Sequence, residues 1–180
     1  PGPVTQFEPK HFNQAITVPL RLQLVSTAYG PRLTWTPVKV LEALRGKSQK
    51  IADTTLKPSD QNPLGDLQGE LFDIALSCAP AADSELTLRV RGVPIVYHAA
   101  AQELVVNVHR APARLRNGKL ELRILADRTA FEVFANDLTY VPMPVIPRAE
   151  DRAIEVSIKG GPVKMQSLAA WELKSIWPGR

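Results

Sequence analysis

The chain has 180 residues, 44% of them hydrophobic and 22% charged, with a formal net charge of +4. That length and apolar share suit one domain with a well-buried core and exclude a disordered chain. No apolar run approaches the roughly 18 residues of a membrane-spanning helix. The basic residues are dispersed and lack interleaved aromatics, which argues against nucleic acid as a partner.

Sixteen prolines against ten glycines point to many loops and few long helices. Pro1 to Lys10 is polar and proline-rich, a leader or the tail of a preceding segment, and no secretory signal is visible in it. Ile16-Thr17-Val18-Pro19-Leu20-Arg21-Leu22-Gln23-Leu24-Val25 reads as a strand with Leu20, Leu22 and Leu24 on one face. Pro19 inside it indicates an edge or a bulge. Ala28-Tyr29-Gly30-Pro31 marks a turn, and Arg32-Leu33-Thr34-Trp35 a short return strand. Thr36 to Gly46 reads as the one helix: Thr36 caps it, Pro37 takes the first helical position and Gly46 stops it. Val40, Leu41 and Leu44 give that helix an apolar stripe, expected to pack on the neighbouring β-structure. Residues 47–68, with Pro58 and Pro63, read as a polar connection.

From Gly69 the pattern is strand after strand. Phe72, Ile74 and Leu76 alternate, and so do Leu86, Leu88 and Val90 against Glu85, Thr87, Arg89 and Arg91. Ile95-Val96-Tyr97 and Leu104 to Val108 follow. Leu120, Leu122 and Ile124 alternate with Glu121 and Arg123, Asp127-Arg128-Thr129 turns the chain, and Phe131-Glu132-Val133-Phe134 returns it to Asn136-Asp137. Ile154 to Ile158, Val163 to Met165 and Ala169 to Leu173 are the last strands, with hairpin-type turns at Asn117-Gly118 and Gly160-Gly161. Many short strands with regular turns predict an all-β fold, a two-sheet antiparallel β-sandwich with one short linker helix. Cys78, the only cysteine, follows a strand-like apolar pattern and reads as a buried structural thiol.

Three stretches resemble one known family. Leu122 to Asp137 is similar to the signature hairpin in the C-terminal β-sandwich of glycoside hydrolase family 32, the invertases, levanases and inulinases. Phe12 to Pro19 resembles the last strand of that family's catalytic propeller, and Leu168 to Trp177 its chain end. The resemblance implies a jelly-roll, concanavalin-like sandwich at 69–180, a connection at 47–68, and the end of the propeller with its linker helix at 1–46. It implies hydrolysis of β-fructosidic bonds with retention, without a cofactor, by a whole enzyme whose upstream propeller is this chain's partner. Fructan or sucrose is the implied substrate. A polymer substrate implies an extracellular or periplasmic place.

The chemistry that such hydrolysis needs is two carboxyl groups flanking the scissile bond. Glu132 is the tempting acid, but no second carboxylate is fixed beside it by spacing. The family's Asn-Asp-Pro, Arg-Asp-Pro and Glu-Cys motifs do not occur in this sequence. No catalytic residue is therefore assigned. His11, His98 and His109 show no metal-ligand spacing, so no metal is expected either. His109-Arg110 stands where related sequences carry Asp-Arg. Sugar contact is the remaining chemistry, since rings stack on aromatics and are oriented by carboxylates and amides. Glu132, Asn136 and Tyr140 are the candidate substrate-binding residues. Trp171 reads as core because it alternates with Leu173, and Tyr97 lies on a strand face. The expected function is a non-catalytic C-terminal portion of a β-fructosidase, which stabilises the propeller and shapes access to it. The alternative is a free-standing fructan-binding module. The segment at 12–25, without its propeller neighbours, is expected to pair locally with Arg32–Trp35, to pair with a second copy as a homodimer, or to fray.

Overall fold

The computed structural model describes residues 16–27 and 30–176. The sequence readings at 1–15 (His11 among them), Ala28, Tyr29 and Trp177 lie outside the described residues. The first elements are a hairpin of β1 (Leu20–Thr27) and β2 (Gly30–Pro37), followed by a 3₁₀ turn at Lys39–Leu44. Then come β3 (Arg45–Leu56), β4 (Phe72–Pro80), β5 (Glu85–Val90), β6 (Val93–His98) and β7 (Glu103–Val106). The chain continues through β8 (His109–Pro112), β9 (Leu120–Ala126), β10 (Ala130–Ala135), β11 (Thr139–Pro144), β12 (Ile154–Lys159) and β13 (Val163–Leu173).

The period-two strands build two antiparallel sheets that face one another. One has six strands in the order β11-β10-β9-β4-β13-β3, the other five in the order β12-β5-β6-β7-β8. The side chains that alternate inward from both sheets form one core, with Phe72, Ile74, Leu86, Leu88, Ile95, Tyr97, Leu104, Ile124 and Phe131 at its centre. Burying each such aliphatic or aromatic side chain contributes about 1.5–3 kcal/mol, so alternation fixes both register and sandwich. This is the two-sheet β-sandwich expected from the sequence. Among the described residues no helix is long and apolar enough to cross a membrane.

Both open sides of the sandwich are closed. The Thr139 hydroxyl donates to the Pro112 carbonyl (2.5 Å) and joins β11 to β8. On the other side the 57–71 loop buries Leu64 and Leu67. Its Asn62 side chain donates to the Ile154 carbonyl and accepts the Val156 N–H. Asn62 thereby occupies the free edge of β12 as a neighbouring strand would. At the Gly160 turn a Cβ would run into the Asp83 carbonyl, so only glycine lets β12 pass into β13 there (φ +71°).

Several elements differ from the sequence reading. Pro19 lies just before β1, not inside it. The expected helix at Pro37–Arg45 is a six-residue 3₁₀ turn. Pro37 ends β2, Val38 precedes the turn without a side-chain cap, and Gly46 lies inside β3. No residue of the turn is buried, so its stripe is shallower than expected. The supposed connection from residue 47 is, as far as Leu56, the twelve-residue strand β3, paired with β13 from Arg45↔Leu173 to Leu56↔Val163. Its polar sequence suits an outer strand with one free edge, where Lys47, Lys50 and the left-handed backbone of Asp53 (φ 47°) deter further pairing. β11 was not expected, because Pro142 and Pro144 disfavour a strand. As the outermost strand of its sheet it tolerates both. The two last strands are one, β13, bulged near Gln166.

Candidate functional site

The outward face of the six-stranded sheet is not the charged face that the alternation implies. It carries Asp73, Leu125, Glu132 and Phe134, all buried. They are covered by the stretch that runs from residue 16 through the hairpin and the 3₁₀ turn; two groups of side chains fasten that cover down, and a third lies beside it.

The first is Glu132 on β10. It is 6% exposed. One carboxylate oxygen accepts the Val18 N–H (2.8 Å), the other the Tyr140 hydroxyl (2.5 Å). Burial first, and the Glu132 acceptor second, push the Tyr140 phenol well above the usual tyrosine range. Tyr140 also lies between Phe134 and Trp35 in a stack, with centroids 4.8 and 5.7 Å away. The Trp35 N–H donates to the Asp137 carbonyl. β1 and β2 pair over their whole length, from Leu20↔Pro37 to Thr27↔Gly30. The local hairpin is thus the outcome found for the first strand, and Trp35 docks it.

The second group surrounds Asp73 on β4. Its carboxylate is fully buried, with Arg45 Nε at 2.8 Å and Arg123 Nη2 at 2.9 Å. Glu42 approaches the same two guanidinium groups at 3.5 and 3.9 Å. The Arg45 guanidinium lies 3.8 Å over the Trp171 ring. Trp171 is therefore not core as expected. It pairs with Asp73 on the outer face, half-buried beneath a cation. The third group is Glu70, whose carboxyl the Arg128 hydrogen bond (2.8 Å) holds below the usual range, with Arg152 at 3.2 Å.

Glu132 and Tyr140 come together and bond to each other. Asn136, at φ 50°, is buried elsewhere on the hairpin, where its side chain accepts the Glu121 N–H and donates to the Arg114 carbonyl. Tyr97 is core, donating to the Ala113 carbonyl. Cys78 is buried, and burial pushes its thiol up to about 12. His98 pairs with Glu85 on the far sheet and His109 is exposed on β8. Among the described residues no group of three or more His, Cys, Asp or Glu could hold a metal ion. Sequence reasoning missed the Asp73 cluster. Its signal is one carboxylate inside the otherwise apolar run Phe72-Asp73-Ile74.

Between the cover and the sheet lies a half-open cleft of about 490 Å³. It is walled by Leu41, Leu44, Leu71, Leu125 and Leu173, with Asp127 and Arg128 at its rim.

The fold is thus a two-sheet β-sandwich with a hairpin fastened to one outer face through Glu132, Tyr140 and Trp35. Residues 40–172 match the sequence profile described as glycosyl hydrolases family 32, C terminal. The chain belongs to that family, as its C-terminal region. It is 30% identical over 190 residues to a levanase of Bacillus subtilis strain 168, which covers 92% of this chain and 28% of the levanase. It is 28% identical to a levanase of Bacillus sp. strain L7, covering 90% of this chain and 20% of that protein. The chain thus spans about a quarter of the curated relatives it matches. Among solved structures, an exo-inulinase from Aspergillus awamori shares the fold at TM-score 0.78 and 19% identity, over 95% of this chain and 38% of that one. A fructan 1-exohydrolase from Cichorium intybus does so at TM-score 0.64 and 17% identity, over 86% and 40%.

Proposed function

We propose that this chain is the non-catalytic C-terminal portion of a β-fructosidase of the levanase or invertase type. In it the sandwich stabilises the preceding catalytic domain and shapes access to that domain's pocket. The observation that carries the reading is the hairpin. Leu22 and Leu24 stand 50% and 74% exposed on β1, and the outer edge of β1 has no strand beside it among the described residues. Such an edge is completed by a further strand, and in a longer enzyme the preceding domain supplies it. The proposed substrate class follows the relatives' names, and the proposed site of action, extracellular or periplasmic, follows from a polymeric substrate.

The chain itself is expected to release no fructose from sucrose, levan or inulin, while the protein with its upstream sequence does. Turnover by the isolated chain that Glu132→Gln abolishes would overturn the reading. A levan titration of the isolated chain separates the fructan-binding alternative.

A further inference from the structure

We propose that the exposed turn Asn117-Gly118 is a modification site, at which the chain converts its own asparagine into aspartate and isoaspartate with water as the only co-reactant. The inference does not depend on the fructosidase reading. In the step, the Gly118 backbone nitrogen gives up its proton to solvent and attacks the Asn117 side-chain carbon Cγ. The Cγ–Nδ2 bond breaks, ammonia leaves with a proton from solvent, and a cyclic imide closes. Water then adds to one of the two imide carbonyls. Opening at Cγ gives aspartate. Opening at the main-chain carbonyl gives isoaspartate, whose backbone runs through the former side chain. Nothing is oxidised or reduced.

The comparison among the four asparagines of the described residues carries most weight. Asn62 precedes Pro63, whose nitrogen has no proton to give, and its amide is held by Ile154, Leu64 and Val156. Asn136 is 4% exposed, with its amide held at both ends by Glu121 and Arg114. Asn107 is exposed, but Val108 sets a branched side chain beside the nitrogen that must attack. Asn117 is exposed, and its side chain has no bonding partner among the described residues. The residue after it is a glycine, and no atom stands within 4 Å of where a Cβ would be.

The turn also opens locally. Asn117 (φ 51°) and Gly118 (φ 74°) are the central pair of a tight hairpin loop. The loop is closed by one bridge, Arg116 N–H to the Lys119 carbonyl (2.9 Å) and Lys119 N–H to the Arg116 carbonyl (3.0 Å). A loop fastened by two exposed bonds leaves its resting shape at small cost, so the attacking geometry is reached without unfolding the sandwich. Arg114, Arg116 and Lys119 flank the pair, and residues 111–120 contain no acid. Positive charge nearby favours the deprotonated Gly118 nitrogen. The frame outlasts the change, because Gln102 holds the Leu115 N–H and Asn136 holds the Arg114 carbonyl. The product sets a carboxylate into a basic stretch, and in isoaspartate the added backbone carbon no longer fits a two-residue loop.

The test is incubation of the folded 180-residue chain in mildly alkaline heavy-oxygen water, followed by peptide mapping in a mass spectrometer. Asn117 is expected to convert, with uptake of heavy oxygen, at least about tenfold faster than Asn107 or Asn136. Ion exchange should separate a form with one positive charge fewer, its circular dichroism unchanged. Within that form, the isoaspartate fraction should lose slow hydrogen exchange at the Arg116 and Lys119 amides, while the aspartate fraction keeps it. Conversion of Asn117 no faster than of Asn107 overturns the proposal. So does conversion that appears only in urea, since the folded turn then protects the site. Arg116→Gln with Lys119→Gln is expected to slow the folded chain severalfold, and an equal rate removes the role given to the basic side chains.

Discussion

Replacing Asp73 by alanine tests the buried charge cluster of the outer face directly. The carboxylate is fully buried, and both of its oxygens are held by guanidinium groups, Arg45 at 2.8 Å and Arg123 at 2.9 and 3.1 Å. Without it the two arginines, each about one-fifth exposed, face one another with only Glu42 nearby. Removing one partner of a buried ion pair costs about 3–5 kcal/mol. Partial solvation of the arginines places this case near the lower end. For a domain of this size each kcal/mol lowers the thermal midpoint by about 2–4 °C, so Asp73→Ala should lose about 6–12 °C. Trp171 fluorescence should change in the folded variant, because Arg45 is no longer held over the ring. Melting followed by circular dichroism gives the midpoint. Removing charge and counter-charge together, as in Asp73→Leu with Arg123→Leu, should recover part of the loss. A fall of less than about 2 °C for Asp73→Ala would refute the reasoning, since a fully buried carboxylate between two arginines cannot be that dispensable.

Leu41→Ala should cost about 1 kcal/mol or less, because no residue of the 3₁₀ turn is buried, whereas Ile124→Ala in the core should cost about 2–5 kcal/mol; urea titration of the two variants compares them. Alkali should loosen the fold: burial raises the Tyr97 hydroxyl to about 12 and the Tyr140 hydroxyl further. A raised tyrosine contributes stability that is present below the ordinary value of 10.0 and is lost as pH rises above it, because only the unfolded chain then ionises. The urea midpoint should therefore fall above pH 10.0, less steeply in Tyr140→Phe, and a flat profile would contradict the docking of Tyr140 on Glu132.

The strands whose apolar residues alternate were legible because burial writes itself into the sequence with period two. Phe72-Ile74-Leu76 and Leu86-Leu88-Val90 lie in the core as read. β3 and β11 were not legible, since an outer strand has one free edge and accepts the polar and proline-rich sequences of a loop. Thr36-Pro37 and Gly46 carry good start and stop chemistry for a helix, yet pairing of Thr36 with Arg21 and of Gln49 with Ala170 claims the flanks for sheets. At the site, Glu132 and Tyr140 were singled out from the hairpin, but their mutual bond depends on the β10–β11 register. Asp73 needed three-dimensional neighbours, Arg45 and Arg123, that lie far away in sequence.

The sandwich begins and ends at one corner. The Lys174 N–H donates to the Leu44 carbonyl at 2.8 Å, and β13 runs beside β3 between those points. A fold whose two ends already touch can be cut in an exposed turn and rejoined across the corner by a short bridge, because closing so short a loop costs little chain entropy. The same geometry lets it hang on a neighbouring domain by a single stalk.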